Sequence, residues 1–299
     1  MCGIAGIINR SKTEMSDKLL EMLLLIQHRG PDASGIAVYG LDEGIGLRVS
    51  ITKKDAFPLL LELIAKFEAE VVKQEISDLE KNVVFYEAEL NIAEADITKL
   101  HEAINLVDGL YVHSFGRGMK VYKDGGLINN LINHQKIDKG LATHGIGHVR
   151  MATESAEDIN AAHPFVSPFY PDLSIVHNGQ FTNYFNLRRS LENKGANFKT
   201  LNDSEAASHL LAYRMLKNGG DLEEALNYAS EELDGIFCII AATSRQIGFV
   251  KDKLGIKPLL LFQKDEMTLL GSEQIEFTAL FSDVYAEEMD PGEVRVWNI

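Results

Sequence analysis

The feature that most constrains this chain is its start. Met1 precedes Cys2-Gly3-Ile4-Ala5-Gly6-Ile7-Ile8, a thiol at the head of a glycine-punctuated, β-rich apolar run. Such a strand holds a chain terminus inside a sheet rather than letting it fray. Removal of Met1, which a small second side chain favours, puts a thiol and a free α-amine on the same carbon. The reference pKa of that amine is about 7.7–8.0, so near neutrality an appreciable part of it can take a proton. A thiol with a built-in base is the cysteine form of the N-terminal nucleophile arrangement. A cysteine after an initiator methionine has no chemistry by itself; the strand that it heads makes it a candidate.

Composition removes several functional classes. The 299 residues suffice for one large domain or two ordinary ones. Lys and Arg total 29 against 44 Asp and Glu, a net charge of −15 that repels nucleic-acid backbones and anionic lipid. Apolar runs such as Phe237–Ala242 and Leu259–Phe262 fall far short of the ~20 residues of a membrane span. No basic-then-apolar leader opens the chain, so a cytoplasmic location is expected. Two cysteines make no disulfide framework, and Cys238, within an apolar run, reads as a buried strand residue. His144 and His148 are spaced i, i+4, but no Glu follows His144 and the segment is glycine-rich, so no metal site is expected. Gly125-Gly126 and Gly219-Gly220 read as turns.

Four further segments accompany Cys2. Gln27-His28-Arg29-Gly30-Pro31-Asp32 follows an amphipathic helix near residues 18–26, in which Leu19, Met22, Leu23 and Ile26 share a face. Gly147-His148-Val149-Arg150-Met151-Ala152-Thr153 has a glycine-rich approach, and His177-Asn178-Gly179-Gln180 ends an apolar strand. Asn202-Asp203-Ser204-Glu205 opens a helix for which Asp203 is suited as the N-cap. In this order, behind Met1-Cys2-Gly3-Ile4, these segments resemble the class II glutamine amidotransferases. The resemblance continues through Asp234-Gly235, the stretch from Asp252 to Leu259, and Gly271-Ser272-Glu273, covering the chain apart from one insertion.

The resemblance implies an α+β fold, a four-layer αββα sandwich of the N-terminal nucleophile hydrolase type. It implies that Cys2 attacks the side-chain amide of glutamine to give a γ-glutamyl thioester and ammonia. Asn178 and the Gly179 N–H are implied as oxyanion donors. Arg150, with Thr153, is implied as the fork for the substrate carboxylate, and Asp203 as the acceptor of its ammonium. Arg29 matches the arginine of a loop beside the nucleophile. His148, His163 and His177 are read as packing groups. Two departures stand out: Ser204 replaces the usual Thr and keeps the hydroxyl, and Glu154 stands where sugar-aminating members carry Gly.

The insertion is legible as a unit. From residue 59 to residue 108 there is neither Gly nor Pro. Val84, Tyr86, Ala88, Leu90 and Ile92 alternate as in a strand, whereas Phe57, Leu60, Leu61, Ile64 and Phe67, and again Ile97, Leu100, Ile104 and Val107, recur as in helices. Asp55 is the expected cap of the first helix. With strands near 46–51, 71–76 and 110–114 the order is β-α-β-β-α-β, that of a ferredoxin-like module. The expected organisation is a glutaminase core of residues 1–45 and 117–299 around an inserted α/β module of residues 46–116. Residues 116–123 are expected to return to the core as a hairpin.

An insertion here, with His163-Pro164-Phe165 and the His177–Tyr184 stretch, most resembles glutamate-synthase-type glutaminase domains carried on separate chains. The chain offers no segment for a phosphoribosyltransferase, isomerase or synthetase domain, so the ammonia acceptor is expected on a separate synthase subunit. That partner would carry flavin and iron–sulfur groups, and this chain no cofactor. Self-association is compatible with the resemblance. Two other readings of the same residues are an amidotransferase with a different acceptor and a glutamine-binding regulatory subunit without turnover. A third is a different N-terminal nucleophile hydrolase such as an acylase, against which Arg150 and Asp203 speak by suiting a free amino acid.

Overall fold

The computed structural model describes residues 2–41, 44–79, 83–151 and 159–299. The apolar start forms strand β1 (Gly3–Glu14), followed by helix α1 (Met15–Leu25) and strand β2 (Ala33–Tyr39). The inserted segment runs β3 (Ile45–Ile51), α2 (Ala56–Lys66), β4 (Glu70–Leu79), β5 (Val83–Asn91), α3 (Glu94–Asn105) and β6 (Leu110–Arg117). The chain continues through β7 (Met119–Gly125), α4 (Ile128–His134), β8 (Leu141–Arg150), β9 (Phe165–Val166) and β10 (Ser174–Phe181). Three helices follow, α5 (Tyr184–Glu192), α6 (Asp203–Asn218) and α7 (Leu222–Glu232). The last strands are β11 (Gly235–Ala242), β12 (Gln246–Lys251), β13 (Leu260–Lys264), β14 (Met267–Gly271), β15 (Glu287–Glu288) and β16 (Val294–Asn298).

β1 lies in the middle of a seven-stranded antiparallel sheet, ordered β15-β13-β14-β1-β8-β2-β7. Its alternation explains why. Ala5 and Ile7 point at α1 and α4, while Ile4 and Ile8 point at a second sheet, so both faces of the strand are apolar. The second sheet, β16-β12-β11-β10-β9, supplies Val176, Cys238, Ile240 and Phe249 to the shared core. Its outer face is covered by α5, α6 and α7 through residues such as Leu187, Leu210 and Leu226. The result is four layers, helix–sheet–sheet–helix.

Small residues set the spacing of these layers. A Cβ on Gly145 or Gly147 of β8 would meet Leu19 Cδ1 at 2.6 Å or Leu23 Cδ1 at 2.7 Å, so the glycine-rich approach lets α1 lie close on the sheet. The two sheets are tied by Tyr39 of β2. Its buried Oη lies 2.7 Å from Ser174 Oγ and 3.0 Å from the Ala242 carbonyl oxygen. Burial pushes the Tyr39 phenol well above its ordinary pKa.

The insertion packs α2 and α3 over an antiparallel sheet ordered β4-β5-β3-β6, with a core that includes Leu47, Val49, Leu60, Tyr86, Leu100 and Ile104. The helix and strand periodicities in the sequence correspond to these elements. Asp55 precedes α2, but its side chain makes no capping bond. Residues 116–123 do not form a hairpin. Gly118, at φ +61°, turns the chain between β6, which pairs with β3, and β7, which pairs with β2 in the other sheet. Gly219, at φ +78°, ends α6 in the left-handed conformation that glycine adopts without strain. Among the described residues no helix is long and apolar enough to cross a membrane.

Tyr39→Phe removes the hydroxyl that joins the sheets and leaves its partners facing a buried void. We expect urea unfolding to show a loss of about 1–3 kcal/mol with an unchanged denaturant slope. A loss within error of zero would mean that the tie does not hold the layers together.

Candidate active site

Cys2 precedes β1 and is held by its backbone. Its carbonyl oxygen accepts from Arg29 Nε at 3.0 Å and from Asn178 Nδ2 at 3.1 Å. Its Sγ accepts the Met151 N–H at 3.4 Å. Three distant segments therefore converge on one residue: the turn after α1, the end of β8 and the end of β10. Gly3 pairs with Val149, which puts Cys2 beside Arg150 and Met151.

Each local sequence serves this convergence. Arg29 ends a single 3₁₀ turn, Gln27–Arg29, and is buried. A Cβ on Gly30 would meet the Arg150 backbone nitrogen at 2.6 Å, and the Asp32 N–H donates to the Arg150 carbonyl at 3.0 Å. The Arg29-Gly30-Pro31-Asp32 loop thus lies directly on the end of β8. Arg29 Nη1 also donates to Glu273. Burial pushes the Glu273 carboxyl up, but Arg29 and then His28 outweigh it, and the net shift is below the ordinary range.

The Gly271-Ser272-Glu273 segment locks the start of β1 through its last two residues. The Ile4 N–H donates to Ser272 Oγ at 2.9 Å, the Ser272 N–H returns to the Ile4 carbonyl at 3.1 Å, and Glu273 neutralises Arg29. The contribution of Met151 is a backbone N–H, which leaves no trace in the side-chain pattern of the sequence.

Asn178 and Gly179 lie in β10 opposite Cys238 and Phe237. Gly179 has φ +150°, and a Cβ there would collide with the Ile236 carbonyl oxygen, so the position requires glycine. Two residues on, the Phe181 N–H donates to Asp203 Oδ2 at 3.1 Å, which joins Asp203 to the same strand. Asp203 is not the cap of α6. That role falls to Asn202, whose side chain accepts the Ser204 N–H at 2.9 Å, leaving Asp203 in the first turn with its carboxylate turned to β10. Ser204 Oγ lies 2.8 Å from His177 Nδ1, so the hydroxyl kept in place of threonine is in use. Cys2, Arg29 and Asn178 are in direct contact. Arg150 and Gly179 stand one residue away from this contact, Asp203 is joined to β10 three residues past Asn178, and Thr153 lies outside the described residues.

Behind this front are three buried imidazoles. His148 and His163 stack with centroids 3.9 Å apart, His163 and His177 lie 6.4 Å apart, and His148 Nε2 is 3.1 Å from the His177 carbonyl oxygen. Burial, reinforced by the neighbouring His177, pushes His148 down to about 3. Burial likewise lowers His163 and His177. They are neutral packing groups, and no cluster of ligands for a metal ion occurs among the described residues.

Comparison with known proteins gives a consistent picture. A family model described as a glutamine amidotransferase domain matches residues 148–279. The chain is 34% identical, over 100% of both lengths, to a protein of Methanothermobacter thermautotrophicus whose name marks it as an inferred glutamine amidotransferase. It is 32% identical to the glutamine amidotransferase-like protein GlxB of Rhizobium meliloti, over 100% of this chain and 98% of that one. Among solved structures, the glutamine phosphoribosylpyrophosphate amidotransferase of B. subtilis superposes with a TM-score of 0.63 at 20% identity. That match covers 99% of this chain but 47% of the other, so this chain spans about half the length of that enzyme. The likeness shows the fold that the two chains share.

Six buried imidazoles, those of His101, His113, His144, His148, His163 and His177, are pushed below their ordinary value, foremost by burial. The unfolded chain protonates them near pH ~6.5 and the folded chain only at lower pH, so falling pH favours the unfolded state. The carboxyls of Glu276 and Asp172, which burial pushes up, act in the opposite sense, two groups against six. We expect the urea midpoint to fall steadily from about pH 7 to about pH 5, each imidazole contributing up to ~1.4 kcal/mol per pH unit. A flat profile would contradict neutral burial.

Proposed function

The chain belongs to the glutamine amidotransferases of the N-terminal nucleophile type, and on that premise we propose a division of labour among its residues. Cys2 Sγ attacks the side-chain amide carbon of glutamine. The thiol proton passes by way of the Cys2 α-amine, free once Met1 is removed, to the leaving nitrogen. Ammonia departs and a γ-glutamyl thioester remains. Water then adds to the thioester, the same amine handles its proton, and glutamate leaves with the thiol restored. Asn178 and the Gly179 N–H hold the oxyanion, in an environment where one such donor is worth ~3–4 kcal/mol of barrier. Arg150, with Thr153, forks onto the substrate carboxylate, Asp203 takes its ammonium, and Arg29 fixes the nucleophile's backbone.

The observation that carries this reading is the clamp on Cys2. Arg29 and Asn178 meet at its carbonyl oxygen, and Met151 N–H meets its sulfur. Asp203, bound to β10 two residues past Gly179, adds a carboxylate at the same strand end.

We further read the acceptor as a separate synthase subunit of the glutamate-synthase type, carrying the flavin and iron–sulfur groups, in the cytoplasm. The sequence resemblance supports this. The β-α-β-β-α-β order, with strands arranged second-third-first-fourth, supports reading residues 46–116 as a ferredoxin-like module between the two parts of the core. Co-purification with a yellow-brown partner chain that aminates 2-oxoglutarate is the check on the acceptor.

A glutamine-mimicking diazoketone tests the nucleophile directly. Intact mass should show loss of Met1 and one adduct, mapping to Cys2. Cys238, whose thiol burial pushes up to about 12, should remain unlabelled and serves as an internal control. Absence of an adduct in folded protein, with or without a partner, would overturn the assignment. Cys2→Ala should abolish turnover without unfolding the chain. Arg150→Lys and Asp203→Asn should each raise KM for glutamine about tenfold or more, the equivalent of ~1.4 kcal/mol of lost binding. An unchanged KM in either variant would remove that residue from the substrate grip.

A further inference from the structure

The insertion ends on an open strand. In its sheet, ordered β4-β5-β3-β6, β4 forms one edge and pairs among the described residues with β5 alone. It runs for ten residues without Gly or Pro. Its outer row of N–H and C=O groups is a template on which another strand can pair. Residues 71–76 are all exposed, and among them Val72 and Ile76 are apolar and 62% and 52% exposed.

Edges of this kind are ordinarily blunted by a bulge or a charge, and β4 has both. The bulge lies between Val71 and Lys73, and from Lys73 onward the register with β5 is regular. The charges are Lys73 and Glu75, which share one face of the sheet, opposite Glu89 and Glu87 of β5. Gln74 and Ile76 share the other face, opposite Ala88 and Tyr86, and Tyr86 Oη donates to Gln74 Oε1 at 3.0 Å. Glu75 thus faces a like charge in its own sheet, and the cation that answers it is Lys136, from the segment after α4.

The order of these side chains is self-complementary. Two copies of one strand pair antiparallel about a twofold axis perpendicular to the sheet, and that axis passes through a residue, because side chains opposite one another share a face. With the axis at Gln74, Lys73 stands opposite Glu75 of the second copy, and the same pair recurs on the other side of the axis. Val72, the extra residue of the bulge, is next in line to meet Ile76 of the second copy, again twice. Moving the axis by one residue in either direction sets Lys73 on Lys73 or Glu75 on Glu75, and like charges directly opposite are destabilising. The charges that would repel a strand of arbitrary sequence therefore select this one, in one register.

We propose that β4 is a self-recognition edge, through which two copies of this chain join their insertion sheets into one antiparallel sheet centred on Gln74. The elements that hold Cys2 take no part in it. A pairing this short buries less than the ~1,200–2,000 Å² of a stable interface, so the dimer forms reversibly and depends on concentration.

Sedimentation velocity of the full chain over a concentration series tests this, and it reads association whether or not Cys2 is catalytic. We expect the wild-type chain to pass from monomer to dimer. Lys73→Glu and Glu75→Lys, each shown to be folded by circular dichroism, should each weaken association about tenfold or more, since either change puts like charges together twice. An equimolar mixture of the two variants should regain the wild-type affinity as a mixed dimer, because both reversed pairs then meet their opposites. Ile76→Asp, at an exposed position, replaces a charge variant that does not fold and should weaken association as well. Three results would each overturn the interface: a wild-type chain monomeric up to about 1 mM, unaltered association in any of these folded variants, or no recovery in the mixture.

Discussion

A buried guanidinium under the first strand is the constraint on which the rest of this structure depends. Burying an arginine is costly unless its charge is matched and its donors are used. Here Glu273 supplies the charge and the Cys2 carbonyl takes Nε, while Nη2 is left without a partner among the described residues. The cation thereby becomes a rivet between a turn, a strand start 27 residues before it and a segment 244 residues after it. The close approach at Gly30 and the reciprocal Ile4–Ser272 bonds keep those three pieces in register. A chain end is usually the least ordered part of a domain. In this fold it is among the most constrained.

Much of the fold was legible because burial on both faces writes itself into composition. The apolar run at the start became a central strand, the helical recurrences became α1, α2 and α3, and the glycine pair at 219–220 became a turn, whereas Gly125 still belongs to β7 and only Gly126 leaves the strand. What failed to show depends on neighbours distant in sequence. Asp203 and Asn202 are both good capping residues, and only the position of Phe181 N–H, twenty-two residues earlier, decides which one turns away from the helix. Residues 116–123 looked like a hairpin because two strands and a glycine between them fit that pattern. The same pattern serves a chain that leaves one sheet for another when each strand has a better partner elsewhere.

The site was legible in part for the same reason. Side chains selected for chemistry, such as Cys2, Asn178 and Asp203, stand out by type. The groups that hold them do not. Met151 acts through its backbone, Ser272 through an ordinary hydroxyl, and Glu273 as one carboxylate among many. The three buried imidazoles, of which His148 and His163 stack, present the converse case, residues conspicuous by type whose burial leaves them as uncharged filling between the sheets.

The pairing of β1 also fixes when the site can exist. Its partners are β8, about 140 residues along, and β14, at the far end of the chain. The residues of β1 thus leave the ribosome long before the strands that complete their pairing. Long-range pairings of this kind close late in folding. The thiol at the head of β1 is therefore unassembled in every partial product of translation. Only a chain whose C-terminal quarter has arrived can hold it, so a released truncation product would carry the nucleophile but not the machinery around it.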